Sequence, residues 1–435
     1  MDELPVVVVG AGPIGLAAAA HLAERGFEPL VLEAAGEIGA SVREWGHVRL
    51  FSRWAELIDP AAARLLETRE WRRPDAAAYP TGADWVSEYL EPLGAALGDR
   101  VRLGARVVGV ARRGRDRVVD AGRDTEPLTV HVAGEERITA RAVVDASGTW
   151  SSPNPLGGDG LPALGERAAR ERITYQVPDF ADEQVRARFA GKRVAIAGSG
   201  HSALTALVGL AQIAEEVPGT EIVWVLRRGT SGNVFGGGEA DQLPARGALG
   251  LRARQAVEEG CVRTVTGFRT ASVEPDGDGR LVLTSFDGNK TGPVDEVVVL
   301  TGFRPDLSWL SEIRLERDPV LQAPAELAPL IDPNVHSCGT VYPHGAKELS
   351  HPEPGVFLAG MKSYGRAPTF LAMTGYEQVR SVAAAIAGDT EAAERVELVL
   401  PETGVCGGAG LFDEPEAEKG GCCAAPEVIA PPRAG

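Results

Sequence analysis

The stretch VVVVGAGPIGLAAAAHLAERGFEPLVLEA, Val6 to Ala34, constrains the fold more than any other part of the chain. Four consecutive β-branched residues read as a strand buried on both faces of a parallel sheet. Gly10 permits a tight turn, Gly12 lets backbone approach a phosphate with no Cβ in the way, and Gly15 lets the next helix pack closely on the strand. That helix, from about Pro13 to Arg25, directs its free N–H groups and positive dipole end at the same place. A second strand, PLVLE, ends at Glu33, eighteen residues after Gly15. A carboxylate there accepts from a ribose 2′-hydroxyl and repels a 2′-phosphate. With 53 glycines in 435 residues a bare GxGxxG carries little weight. The strand, helix and acid around this one make it a dinucleotide site suited to FAD or NAD.

GKRVAIAGSGHSALTALVGLA, from Gly191, repeats the pattern. A strand over Arg193 to Ala197 leads to Gly198, Ser199, Gly200, His201, Ser202 and a small third position, Ala203, at the head of an Ala/Leu-rich helix. The following strand, EIVWVLRRG, ends in Arg227 and Arg228 where the first unit ends in Glu33. Guanidinium groups at that place either favour a 2′-phosphate, by charge and bidentate hydrogen bonding, or stand as solvated surface charge. The two units together predict FAD at the first and NADPH at the second. Two apolar strands ending in small-residue turns, AVVDASGTWSSPNP at Ser147 and Gly148 and VDEVVVLTGFRP at Thr301 and Gly302, mark where the chain leaves the first unit and returns to it. The expected fold is α/β, with two Rossmann-like dinucleotide-binding domains and the NADPH domain inserted into a discontinuous FAD domain. The boundaries read as 1–152 and 296–400 for FAD, 153–295 for NADPH, and a tail over 401–435.

The balance of 44 basic against 61 acidic residues, net −17, argues against nucleic acid or an anionic membrane as partner. No apolar run reaches membrane-spanning length, and the acidic start MDELP does not read as a leader, so a cytoplasmic protein is expected. The partner is then a small molecule, and the protein a monomer or homodimer. Five cysteines are too few for a disulfide framework, and no CxxC or CxxxxC occurs, which leaves flavin-linked dithiol chemistry without a pair near the ring. No HExxH, paired-acid motif or strong Ser/His/Asp arrangement is present, and none is required where a cofactor brings the reactive chemistry. Three of the cysteines, Cys406, Cys422 and Cys423, fall in the Gly/Pro/acid-rich end, whose composition holds too little apolar surface for a core of its own. They are either isolated thiols or a set able to converge on one soft centre.

In the order GAGPIG, Glu33, DASGTW, GSGHSA, VLRR, TGFRP and GVFLAGMKSYGRAPTFLAMTGYEQVRSVAAAI, the chain resembles flavin-containing and N-hydroxylating monooxygenases over about residues 4–388. The resemblance implies FAD contacts from Gly10, Gly12, Pro13, Gly15, Glu33, Ala34, Trp45, Val107, Ser147, Gly148 and Gly360, with Thr369, Phe370 and Leu371 at a helix N-terminus facing the pyrimidine end of the flavin. Trp45 and Trp54 are expected to line the flavin or pack under it. Relatives carry Gly-Asp where this chain has Gly360-Met361, so the usual carboxylate contact to the ribityl chain is absent or replaced. The FxGxxxHxxxW signature of ketone-oxygenating relatives is missing, and SPNPLGGDGLPALGE stands in that connector.

GHVRLFSRWAELIDPAAARLLE, YPTGADWVSEYLEPLG and SYGRAPTFLAMTGYE resemble, more narrowly, the NADPH-dependent flavin monooxygenases of bacterial arsenic resistance, which oxidise methylarsenite to methylarsenate. That resemblance implies O2 as co-substrate and the tail thiols as a metalloid-capture site. Cys338 becomes either a thiolate holding substrate near the ring or a buried packing residue. His336 and His344 flank it and are expected to be solvated. Asp241 and Arg246, after the glycine run 236–238, are expected on a loop closing over the nicotinamide or in a surface salt pair. Three other functions stay open: a reductase of metalloids or disulfides using Cys422 and Cys423, an N-hydroxylating amine monooxygenase, and a redox sensor or metalloid carrier without turnover.

Overall fold

Val6–Val9 is the middle strand of a parallel five-stranded sheet, and its valines alternate between two cores. Val6 and Val8 face the helices Pro13–Glu24 and Ala372–Ile386, while Val7 and Val9 face a three-stranded antiparallel sheet. Burial on both faces is why the strand reads as an unbroken apolar run. In the computed structural model, which describes residues 3–229, 232–238, 241, 243–335, 343–368 and 370–398, the sheet runs Val356–Leu358, Ala142–Asp145, Val6–Val9, Pro29–Leu32, Val101–Arg102, all parallel. The antiparallel layer is Val107–Arg112, Leu128–Val132 and Glu136–Ala140.

The second half repeats this plan. Its parallel sheet runs Val262–Val265, Glu221–Val225, Arg193–Ala197, Glu296–Val299, Ile173–Thr174. Val194 and Ile196 face the helix His201–Glu216, whereas Ala195 and Ala197 face the antiparallel strands Thr270–Pro275, Leu281–Ser285 and Lys290–Val294. The chain is therefore an α/β protein of two Rossmann-like units, the second inserted into the first. One expectation is corrected: Glu296–Val299 pairs with Arg193–Ala197 in the second sheet, so the chain returns to the first unit after Leu300, not at 296. An apolar parallel strand carries no mark of which sheet it will join.

The two crossings run side by side. Pro153 bridges Phe303, Asn154 N donates to Gly302 O at 2.9 Å and Arg304 N to Ser152 O at 3.0 Å, and the Trp150 and Phe303 rings stack with centroids 4.9 Å apart. Glu44 ties the first unit to this joint by accepting from Trp150 Nε1 at 2.8 Å and from Gln176 Nε2 at 2.7 Å.

A buried ionic cluster anchors the return strand. Glu353, 1 % exposed, accepts from Arg112 Nη2 at 2.7 Å and Arg123 Nη2 at 2.6 Å, joining the loop before Val356–Leu358 to the antiparallel layer. Burial alone would raise the Glu353 carboxyl, but the bonds from Arg123 and Arg112 outweigh it and hold the group below its usual value. Glu353→Gln should cost about 3–5 kcal/mol in urea melts at pH 7, as expected for breaking a buried ion pair. Because the folded carboxyl titrates below the ordinary 4.5, this stability is present above that pH and is lost as pH falls through the folded value. The gap between wild type and variant should therefore narrow in melts taken at progressively lower pH.

Candidate functional site

The carboxyl ends of both sheets open on one cleft of about 2090 Å³, the place where open α/β sheets bind ligands. On the first wall the three glycines do different work. A Cβ on Gly10, whose φ is +102°, would lie 2.8 Å from Ala146 O, and a Cβ on Gly15 would lie 1.9 Å from Gly10 O. Both positions are closed by backbone, so Gly15 serves the packing of helix on strand and does not line the cleft. A Cβ on Gly12 would meet nothing within 4 Å. Gly12 caps the helix Pro13–Glu24 and lies on the cleft wall, so bare backbone at a helix N-terminus is open to the cleft there, an arrangement that suits anions. Glu33 is fixed by Ala11 N at 2.8 Å and Ala35 N at 2.9 Å, and it lines the cleft with acceptor capacity to spare.

Ala34, Trp45, Val107, Ser147, Gly148, Gly360, Phe370 and Leu371 also line the cleft. Trp54 does not; it is buried beneath, in the core with helix Pro13–Glu24. Leu371 caps the helix Ala372–Ile386, which places that helix N-terminus at the cleft.

The second wall repeats the first. A Cβ on Gly198, at φ +135°, would lie 2.2 Å from Leu300 O, while one on Gly200 would meet nothing within 4 Å. Ala203 is fully buried and sits against Gly198 rather than on the cleft. Ser199, His201, Ser202, Arg227 and Arg228 line the cleft. Loss of solvent contact and then the neighbouring Arg228 charge pull Arg227 below its usual value. His201 packs edge-on against Phe51 of the first unit, centroids 5.3 Å apart. Burial, followed by the Arg246 charge, pushes its ring down to about 4, so it is neutral at physiological pH.

Two expectations change. Asp241 and Arg246 are 5 % and 8 % exposed and bond at 2.8 Å, so they form a buried clamp rather than a surface pair, and Arg246 reaches the cleft. His344 is 3 % exposed, not solvated; its Nε2 lies 2.8 Å from the Gln378 amide, whose Oε1 accepts from Gly360 N at 2.8 Å. Lys362 is a buried cleft residue that sequence reasoning missed. It is 2 % exposed, with Nζ 2.8 Å from Asp145 Oδ2 and 2.9 Å from Ser147 Oγ. Its signal was a lysine inside the apolar run VFLAGMKSYG. His336, Cys338, Thr369, Cys406, Cys422 and Cys423 lie outside the described residues. Among the described residues no His/Cys/Asp/Glu group could hold a metal, and no helix is long and apolar enough to cross a membrane.

Residues 7–336 match the family model described as pyridine nucleotide-disulphide oxidoreductase. Among curated proteins, the chain is 33 % identical over 200 residues to the indole-3-pyruvate monooxygenase YUCCA1 of Oryza sativa subsp. japonica, across 46 % of this chain and 43 % of that protein. It thus spans less than half the length of that relative. It is 27 % identical over 324 residues to ferredoxin–NADP reductase 1 of Cupriavidus necator, across 72 % of this chain and 75 % of the reductase. Among solved structures, the flavin-containing monooxygenase from Stenotrophomonas maltophilia superposes with TM-score 0.55 at 23 % identity, over 89 % of this chain and 99 % of that one; this is a likeness of fold.

The two open and closed glycines are separable by experiment. Gly12→Ala should leave apoprotein stability within about 0.5 kcal/mol and weaken FAD binding at least about tenfold, while Gly15→Ala should destabilise the apoprotein by about 1–3 kcal/mol through overpacking; melting curves and FAD titrations check both. Removing either Arg227 or Arg228 should raise the KM for NADPH by about ten- to a hundredfold, the equivalent of about 1.5–3 kcal/mol for a charged hydrogen bond. The KM for NADH should stay nearly unchanged, and equal losses with both coenzymes would show that the arginines do not read the 2′-phosphate.

Proposed function

The chain belongs to the pyridine nucleotide-disulphide oxidoreductase family, is an FAD- and NADPH-dependent oxidoreductase, and from that premise we propose that it is a monooxygenase acting on a small soft nucleophile, trivalent methylarsenite. The observation that carries this reading is the cleft itself. Two nucleotide cradles face it, Gly12 and Gly200 at their open points, and Cys261 is the cysteine found among the described residues, half-buried in the second unit's core. A monooxygenase has use for two nucleotides brought to one cleft, and the rice relative carries that activity in its name.

The residues divide the work. Gly12 and the N–H groups of helix Pro13–Glu24 would hold the FAD pyrophosphate, Glu33 the adenosine ribose, and Phe370 and Leu371 the far end. Gly200 and its helix would hold the NADPH pyrophosphate, with Arg227 and Arg228 on the 2′-phosphate. Bound there, FAD would supply the redox chemistry that links NADPH oxidation to O2. In the net reaction one oxygen atom goes to the arsenic lone pair, making pentavalent methylarsenate, and the other leaves as water with two protons. The protein's part is to bring both nucleotides to one cleft, fix their rings and keep bulk water out. The GHVRLFSRW and SYGRAPTFLAMTGYE segments support the substrate assignment by resemblance. Arg49, Phe51, Arg366 and Phe370 of those segments are on the cleft wall.

A reductase of metalloids or disulfides is the second reading, favoured by the length of the match to a ferredoxin–NADP reductase. Methylarsenite should accelerate NADPH oxidation with O2 uptake in a 1:1 ratio. Anaerobic NADPH oxidation supported by a disulfide or a pentavalent arsenical, with no O2 uptake on methylarsenite, would instead establish the reductase. In the same assay Cys338→Ser should lower kcat, about a hundredfold if that thiolate positions the metalloid. Truncation after Pro401 should raise KM alone, because capture before chemistry does not alter the turnover number.

A further inference from the structure

We propose that Lys362 is the cation this protein turns toward the flavin half of FAD, and that the Lys362–Asp145 pair sets how strongly the reduced, anionic flavin is favoured over the oxidised one. The inference rests on reading the first wall as the FAD cradle, and goes beyond it in assigning what controls the cofactor's redox balance.

Sheet order gives the cofactor its direction. Glu33 follows Pro29–Leu32, the neighbour of Val6–Val9 on one side, and Asp145 ends Ala142–Asp145, the neighbour on the other. A dinucleotide with its pyrophosphate at Gly12 and its adenosine ribose at Glu33 therefore carries its other half across the ends of Ala142–Asp145 and Val356–Leu358. Lys362 stands there. The short turn of helix Gly360–Tyr364 follows Val356–Leu358 and folds the lysine back onto the neighbouring strand end. Its ammonium lies 2.8 Å from Asp145 Oδ2, 2.9 Å from Ser147 Oγ and 4.8 Å from the centre of the Trp309 ring.

The pair is oriented. Lys362, Ser147 and Trp309 form the cleft wall, whereas Asp145 is fully buried behind them, so the positive end of the ion pair faces the ligand. A second carboxylate, Asp306, shares that wall. The Ser308 backbone N–H, the Ser308 hydroxyl and, further down in weight, the Lys362 charge hold it below its usual value. Lysine is almost never this buried unless paired, and Asp145 supplies the partner. Hydride transfer to a flavin adds negative charge to its ring system, and a fixed cation in a water-poor wall lowers the energy of that charged form. A cation serving the pyrophosphate would act differently: that group carries the same charge in both redox states, so its loss would weaken both and leave the potential unmoved.

The test uses the full-length holoenzyme with Lys362→Met, Lys362→Arg and the double variant Lys362→Met/Asp145→Asn, the last removing both charges in case the lone carboxylate prevents folding. Anaerobic titration against a reference dye gives the midpoint potential, and fluorescence titration gives the Kd for oxidised FAD. Lys362→Met should shift the preference toward the oxidised form by about tenfold, about 30 mV more negative for two electrons, with oxidised-FAD affinity changed less than about threefold. Lys362→Arg should retain the wild-type potential, and the double variant should fall between wild type and Lys362→Met. If FAD binds and the potential is unchanged in Lys362→Met or, where that variant does not fold, in the double variant, the pair is structural and the inference fails. Equal weakening of oxidised and reduced FAD would overturn it in favour of a phosphate role. Failure of the wild type to retain FAD would instead remove the cradle assignment on which it rests.

Discussion

A carbonyl oxygen pressed against a glycine governs both halves of this protein. Ala146 O occupies the space a side chain on Gly10 would need, and Leu300 O does the same at Gly198. Each oxygen belongs to the residue just after a strand that pairs with the one leading into the glycine. The turn, the return strand and the helix entry are thereby locked together, and a single added methyl group would push them apart. Since the segments that lead to the crossings begin at Ala146 and Leu300, the same contacts fix where those segments start.

Local patterns were legible and long-range pairings were not. The run Val6–Val9, the turn glycines, Glu33 and the Arg227–Arg228 pair are all encoded within about thirty residues of sequence, the span of one strand–helix–strand unit. The separate tasks of Gly12 and Gly15 follow from the same motif and are visible in the space around each. Which sheet Glu296–Val299 joins could not be read, because three consecutive valines suit any buried parallel position. The Lys362–Asp145 contact joins residues on opposite sides of the inserted unit, and the lysine sits in a stretch whose apolar neighbours give no hint of its partner. His344 was misjudged for a related reason: a Gly/Pro-rich setting signals a loop but not whether the loop is covered, and here Gln378 from a distant helix covers it.

Polar groups in the interior are arranged by function as much as by stability. Glu353 with Arg112 and Arg123 does not line the cleft and fastens a return strand to its supporting layer. Asp241 with Arg246 sits at the cleft and holds a guanidinium beside the neutral ring of His201. Both clusters bear the cost of desolvating charge, and both recover it through several bonds per carboxylate. The difference lies in what remains available: the first cluster is consumed by structure, while Arg246 still presents surface to the ligand space.

The paired crossings at Pro153 and Phe303 have a consequence for the first unit's sheet. The inserted stretch enters and leaves through adjacent, hydrogen-bonded backbone, so its two ends meet as those of a plug-in cassette do. Joining them demands little loop entropy from the host, whose own chain is interrupted at one point only. The insertion therefore leaves the parent sheet undisturbed, and the strand end that carries a carboxylate in the first unit carries a pair of guanidinium groups in the second.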